Sequence, residues 1–190
     1  MALNLSADAS TSGDFAELTA GAHSARIVDI IELGTQTVTF EGKQFKKRQV
    51  QLGFEILDSD ERRTDGRPFT VRRTYTASLH EKAALRAVIE ALAGKKLDGN
   101  FNLGSLLGAY CQVSIVHNTT GDRTYPNVAT VMGWPKGMPK GGGELPLHLF
   151  DIDSPDQAVF NELHERVQEK IVAAPEWRGF NSHIDADGLV

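Results

Sequence analysis

The run "KKRQVQLGFEIL", residues 46–57, alternates strictly. Val50, Leu52, Phe54 and Ile56 take one side, and Gln49, Gln51, Gly53 and Glu55 the other. Period two with one apolar side predicts a strand with one buried face, and Gly53 inside it predicts a bulge or bend. Upstream, "GAHSARIVDIIEL" (21–33) is rich in β-branched bulk and bounded by Gly21 and Gly34, which predicts another strand. Between them "TQTVTFEGKQF" alternates weakly, and Glu41-Gly42 marks a turn, so an extra hairpin is expected near 35–47. After the polar loop "DSDERRTDGRP", the segment "FTVRRTYT" (69–76) predicts a further strand.

At Ser78 the period changes. Leu85, Val88, Ile89 and Leu92 recur at helical spacing, Ser78 and Glu81 stand at capping-box spacing, and Gly94 suits the C-terminal cap. "AYCQVSIVHN" and "TYPNVATVM" predict two more strands around the turn "TTGDR", with Cys111, Val113 and Ile115 on one face. The order β-β-β-α-β-β matches a mainly β, five-stranded oligonucleotide-binding (OB) barrel with one helix between strands three and four. A small α+β roll gives a similar string. Four regions follow: a flexible arm over 1–20, the barrel over 21–133, a Pro/Gly linker over 134–150, and a C-terminal stretch over 151–190. That last stretch predicts one helix at 155–172, capped by Ser154 with Pro155 at its first position, and then a disordered tail. Phe160, Leu163, Val167 and Ile171 form its apolar stripe, which requires the barrel, a second subunit or a partner to cover it.

Charge divides the chain. Its net charge is −5, yet residues 1–140 carry 17 Lys and Arg against 15 Asp and Glu, while residues 141–190 carry 3 against 10. The acidity lives in the tail, and residues 40–96 are basic, 13 against 8. A basic strand region with aromatics fits a single-stranded nucleic acid, which needs cations for phosphates and ring faces for bases. Lys43, Lys46, Lys47, Arg48, Arg72 and Arg73 are the candidate cations, and Phe40, Phe45, Phe69 and Tyr75 the candidate stacking rings, some of which the core must claim. On this reading the acidic tail competes for the cationic groove, and deleting residues 141–190 strengthens binding.

Cys111 is the only cysteine, which excludes an intrachain disulfide and fits a reducing cytoplasm. The first residues lack a signal-peptide pattern. No apolar run reaches the length of a membrane span.

The runs "TYTASLHEKAALRAVIEALAG", "FNLGSLLGAYCQVSIVH" and "GDRTYPNVATV", with the acidic "LFDIDSPDQAVFNELHERVQEKIVAAPEW", resemble phage-encoded single-stranded DNA-binding proteins of the OB-fold type. The resemblance spans roughly residues 20–177. It implies sequence-independent binding of single strands in phage replication, recombination or repair, in the host cytoplasm. It also implies recruitment of replication or recombination proteins through the tail, and a homodimer would add avidity. Arg123 and Tyr125, in the last hairpin, fit a loop that this fold commonly uses. One departure is the ending "DADGLV", where bacterial housekeeping proteins of this function end in Pro-Phe.

Catalytic and cofactor signals are missing. "PKGGGELP" has no following Lys-Ser/Thr, no G-x-S-x-G elbow occurs, and six scattered histidines lack ligand spacing. The expectation is no enzyme, no cofactor and no metal. The alternative function is an OB-like protein-interaction module whose ligand is a protein. Exposure of the aromatics on the same face as Arg72 and Lys46 discriminates the two.

Overall fold

A computed structural model describes residues 18–121 and 123–180. The chain forms β1 (Gly21–Phe40), β2 (Lys43–Ile56), β3 (Thr70–Thr76), α1 (Ala84–Ala93), a 3-10 turn (Leu103–Leu106), β4 (Tyr110–Thr120), β5 (Arg123–Gly133), β6 (His148–Phe150), α2 (Gln157–Glu162) and α3 (Glu165–Val172). The strands make one mainly antiparallel sheet in the order β3-β2-β1-β4-β5, with β6 added in parallel to β1. No ladder joins the two ends of this path among the described residues. They do approach, because the Arg73 guanidinium on β3 donates to the carbonyls of Val128 (2.9 Å) and Ala129 (2.5 Å) on β5. No helix among the described residues is long and apolar enough to cross a membrane.

The main core lies inside the curved sheet. Val50, Leu52, Phe54 and Ile56 are buried, as are Cys111, Val113 and Ile115, and α1 covers them with Leu85, Val88 and Ile89. The alternation read from sequence therefore holds on this face. The opposite face of β2 is also covered, which alternation alone hides. Glu55 is fully buried there. It accepts from Arg26 (2.8 Å) and from the backbone amides of Glu144 (2.7 Å) and Leu145 (3.1 Å). The segment expected to be a free linker thus lies against the sheet, and β6 within it pairs with Asp29–Ile31.

Several boundaries differ from the sequence expectation. Gly34 does not end a strand: at φ +69° it sits at a register shift inside the 20-residue β1, whose continuation is the outer half of the 35–47 hairpin. Left-handed backbone suits glycine there. A side chain at that point would also collide with Ala174 and Ile152. The hairpin turns at Glu41 (φ 49°) and Gly42 (φ 73°), matching the turn signal. The irregularity expected at Gly53 falls on its partner strand, between Ile27 and Asp29, and Gly53 leaves room for the Asp29 carboxylate. α1 begins at Ala84, later than the Ser78 cap predicts, and Ala83 makes no side-chain cap bond. Ser78 instead accepts from the His80 amide, because the preceding Ala77 amide still bonds Arg48 on β2 and the chain needs several residues to leave the sheet.

The expected helix 155–172 is two short helices. Asp156, not Ser154, caps α2, and His164 caps α3. The helices fold back on the sheet, α3 against β1 and α2 against β6. Ile31, Leu33, Phe150, Ile152, Ile171 and Ala174 form a second buried cluster, with Phe160, Leu163, Val167 and Trp177 packed against it. Of the three covers open to the apolar stripe, the chain's own sheet takes part: Ile171 is buried against it, and Phe160, Leu163 and Val167, named as partner-binding, are partly buried there. Of the expected N-terminal arm, Leu18 is core, held near Glu61 through Thr19, and residues 1–17 lie outside the described residues. So does the expected tail at 181–190.

Candidate nucleic-acid interface

The outer half of the β1–β2 ribbon is built by cross-strand pairing. Val38 pairs with Phe45, Gln36 with Lys47, and Phe40 with Lys43. Directly paired residues share a face, and residues two apart along a strand do so as well. One face therefore carries Val38, Phe40, Lys43, Phe45 and Lys47, and the other carries Thr35, Thr37, Thr39, Gln44, Lys46 and Arg48. Phe40 is 64% exposed and Phe45 42%. The Lys47 ammonium stands 5.8 Å from the Phe45 ring centroid, within the range of a cation–π contact. Lys43, Lys46 and Lys47 are exposed and form no ion pair among the described residues. Two rings and two ammonium groups thus share one solvent-facing strip, while Lys46 lies on the reverse.

The β4–β5 ribbon carries a smaller version. Tyr125, paired with Asn118, is 47% exposed, Val116 is 40% exposed, and Arg123 opens β5 opposite Thr120. Because β4 runs antiparallel to β1, with Gly21 opposite Ile115, this ribbon leaves the sheet at the end opposite the first. The exposed rings are therefore divided between two projections.

Between the ribbons, the remaining candidates serve the fold. Tyr75 is buried at 3% exposure and offers no free ring face, and Phe69, partly buried, packs against the main core. Burial pushes the Tyr75 phenol up to about 12, and its hydroxyl has no hydrogen-bond partner among the described residues. Arg73 spans β3 to β5 and lies over the Tyr75 ring, 5.1 Å from its centroid. Arg72 binds the buried Asp29 carboxylate at 2.9 Å. The other Asp29 oxygen meets His148 (3.0 Å), whose second nitrogen meets Glu162 on α2 (2.8 Å). Arg48 donates to Glu32 and to Asp153, both at 2.7 Å, and these bonds raise its pKa above the ordinary guanidinium value. Glu176 accepts from Thr35, which lowers its pKa from the ordinary carboxylate value. The expected cluster therefore separates. Phe40, Lys43, Phe45, Lys46, Lys47 and Tyr125 remain available, whereas Arg48, Arg72 and Arg73 are bonded to groups of the same chain and Phe69 and Tyr75 pack against the main core.

The chain matches no protein-family model and no curated protein.

Sequence reasoning placed the free lysines and rings but missed what occupies the arginines. Asp29, Glu55 and His148 are buried or half-buried polar groups that organise the sheet's outer face. Asp29 was readable as a charge inside an apolar run, "IVDII". Its partners, 43 and 119 residues away, were not.

Proposed function

We propose that the chain is a sequence-independent single-stranded DNA-binding protein whose sheet is an OB-type barrel, acting in phage replication, recombination or repair. The observation that carries this reading is the exposed strip of Phe40, Phe45, Lys43 and Lys47 on the β1–β2 ribbon. Rings on a solvent-facing strand beside unpaired ammonium groups suit bases and phosphates together, and no base identity is demanded. A duplex hides its base faces, so the same strip favours the single strand. Tyr125 on the second ribbon supplies a further contact for a longer strand.

The strand order and the position of α1 support the OB reading, and the Arg73 bridge supplies a seam where a barrel of this kind closes.

The experiment is fluorescence anisotropy of a labelled poly-dT oligonucleotide against an equal-length duplex, at low and moderate salt. Preference for the single strand, with log affinity falling by about 0.7 per neutralised phosphate against log salt, is expected. Absence of binding at low salt overturns the reading.

A further inference from the structure

At one end of the main core, between α1, the 3-10 turn and β6, a cleft of about 340 Å³ opens to solvent. Its floor reaches Val50, Leu85, Ile89 and Phe150, all buried side chains of the cores. A volume of this size lies at the lower end of the roughly 300–1,000 Å³ typical of ligand pockets. Glu32 and Asp151 also line it, and Asp153 stands beside them, their carboxylates within 4.8 Å of one another. Arg48 offsets this group through Glu32 and Asp153, but Asp151 has no ion-pair partner among the described residues. The lip is therefore net negative. Leu149, on the cleft wall, is 46% exposed, and Leu147 beside it is 44% exposed, both lying along the 3-10 turn region near Gly104 and Gly108. None of these groups serves the nucleic-acid reading.

We propose that this cleft docks a basic segment of a partner protein that inserts one large apolar side chain. The floor rewards removal of apolar surface from water. The acidic lip repels phosphates and attracts a cation carried next to the apolar group. The exposed Leu147 and Leu149 continue the apolar surface beyond the cleft. A polypeptide uses such an extension, and a compact ligand held inside the cleft does not.

The test uses the full chain with labelled Ile, Leu and Val methyl groups, observed by NMR. The probe is an acetylated peptide with a Leu-Phe pair flanked by two lysines on each side. One control replaces the pair with alanines, and the other replaces the lysines with glutamates. Saturable shifts of the Leu85, Ile89 and Leu149 methyls are expected, with Val113 and Ile115 unmoved and both controls about tenfold weaker. Leu149→Ser and Asp151→Asn, at exposed positions, are each expected to weaken the peptide about threefold to tenfold, with thermal melting and oligonucleotide affinity unchanged. No shift up to about 1 mM peptide overturns the proposal. So do equal shifts with either control, or affinities unmoved by both variants. Because the readout is independent of oligonucleotide binding, its failure leaves the nucleic-acid reading standing, and the reverse also holds.

Discussion

Lys43, Lys46 and Lys47 at the tip of the β1–β2 ribbon are exposed and unpaired among the described residues, whereas Arg48, the next residue inward, is bound by Glu32 and Asp153. The same division applies to the rings: Phe40 and Phe45 face solvent at the tip, and Tyr75, opposite Val50 at the base, is core. The two halves belong to one pair of strands. They differ because at the base Tyr75 packs into the main core and Arg48 is held by Glu32 of β1 and by Asp153 of the C-terminal segment, whereas nothing described covers the tip. A cation's place in the sequence therefore says less about its availability than what the sheet packs against it.

The sharpest way to break the comparison is to remove the cover. Deleting residues 141–190 takes away β6, the Phe150–Ile152–Ile171 cluster, and the amides that satisfy Glu55. The expected outcome is loss of a cooperative thermal transition, followed by circular dichroism. It is not the tighter binding that a freely competing tail implies. A truncated protein that melts normally and binds oligonucleotide more tightly would restore the competing-tail picture.

A point change at the base is next in size. Glu55→Ala leaves the Arg26 guanidinium, itself largely buried, without its carboxylate. Breaking a buried pair in this way costs about 3–5 kcal/mol, measurable by urea denaturation.

At the tip the expected effects exchange places. Phe45→Ala is expected to weaken poly-dT binding by about 1–3 kcal/mol, the worth of one stacked base, while the melting temperature stays put. A drop in melting temperature without a change in affinity would move Phe45 from the interface to the fold.

Tyr75→Phe tests the base ring. Removing a buried hydroxyl that has no partner is expected to raise stability by about 1 kcal/mol, without loss of oligonucleotide affinity. It also bears on alkaline pH. Burial raises Tyr75 from 10.0 to about 12 and Cys111 from 9.0 to about 12. Both groups are held neutral in the fold, so the unfolded chain loses their protons first. The stability they protect is complete below their unfolded values and falls as pH rises toward about 12. Melting followed across that window should fall less steeply in Tyr75→Phe.

The smallest effect contrasts neighbours. Lys47→Ala is expected to flatten the salt dependence by about 0.7 for a single strand, and Arg48→Ala, whose charge is already matched, by less. Equal slopes would mean that the strand displaces Asp153 from Arg48.

Much of the fold was legible because it rests on local patterns. Alternation placed β2 and β4, helical spacing placed the body of α1, and Glu41-Gly42 placed the hairpin turn. The failures lie where distant segments meet. Gly34 looked like a strand end because glycine usually interrupts pairing, yet β2 continues beside it and carries β1 through the irregularity. The 134–150 stretch looked like a linker from its glycines and prolines, but its backbone amides at Glu144 and Leu145 answer a buried carboxylate 89 and 90 residues upstream.

The sequence by itself determined the order of the five long strands along the chain, one core face of β2 and of β4, the body of α1, and the concentration of lysines and phenylalanines between residues 40 and 47. Each follows from short-range periodicity or composition, which neighbouring residues settle among themselves. The tertiary structure decided which cations and rings remain available. That outcome depends on Asp29, Glu55, His148 and Asp153 reaching partners far along the chain. Ion pairs and buried faces of that kind are formed by the fold as a whole.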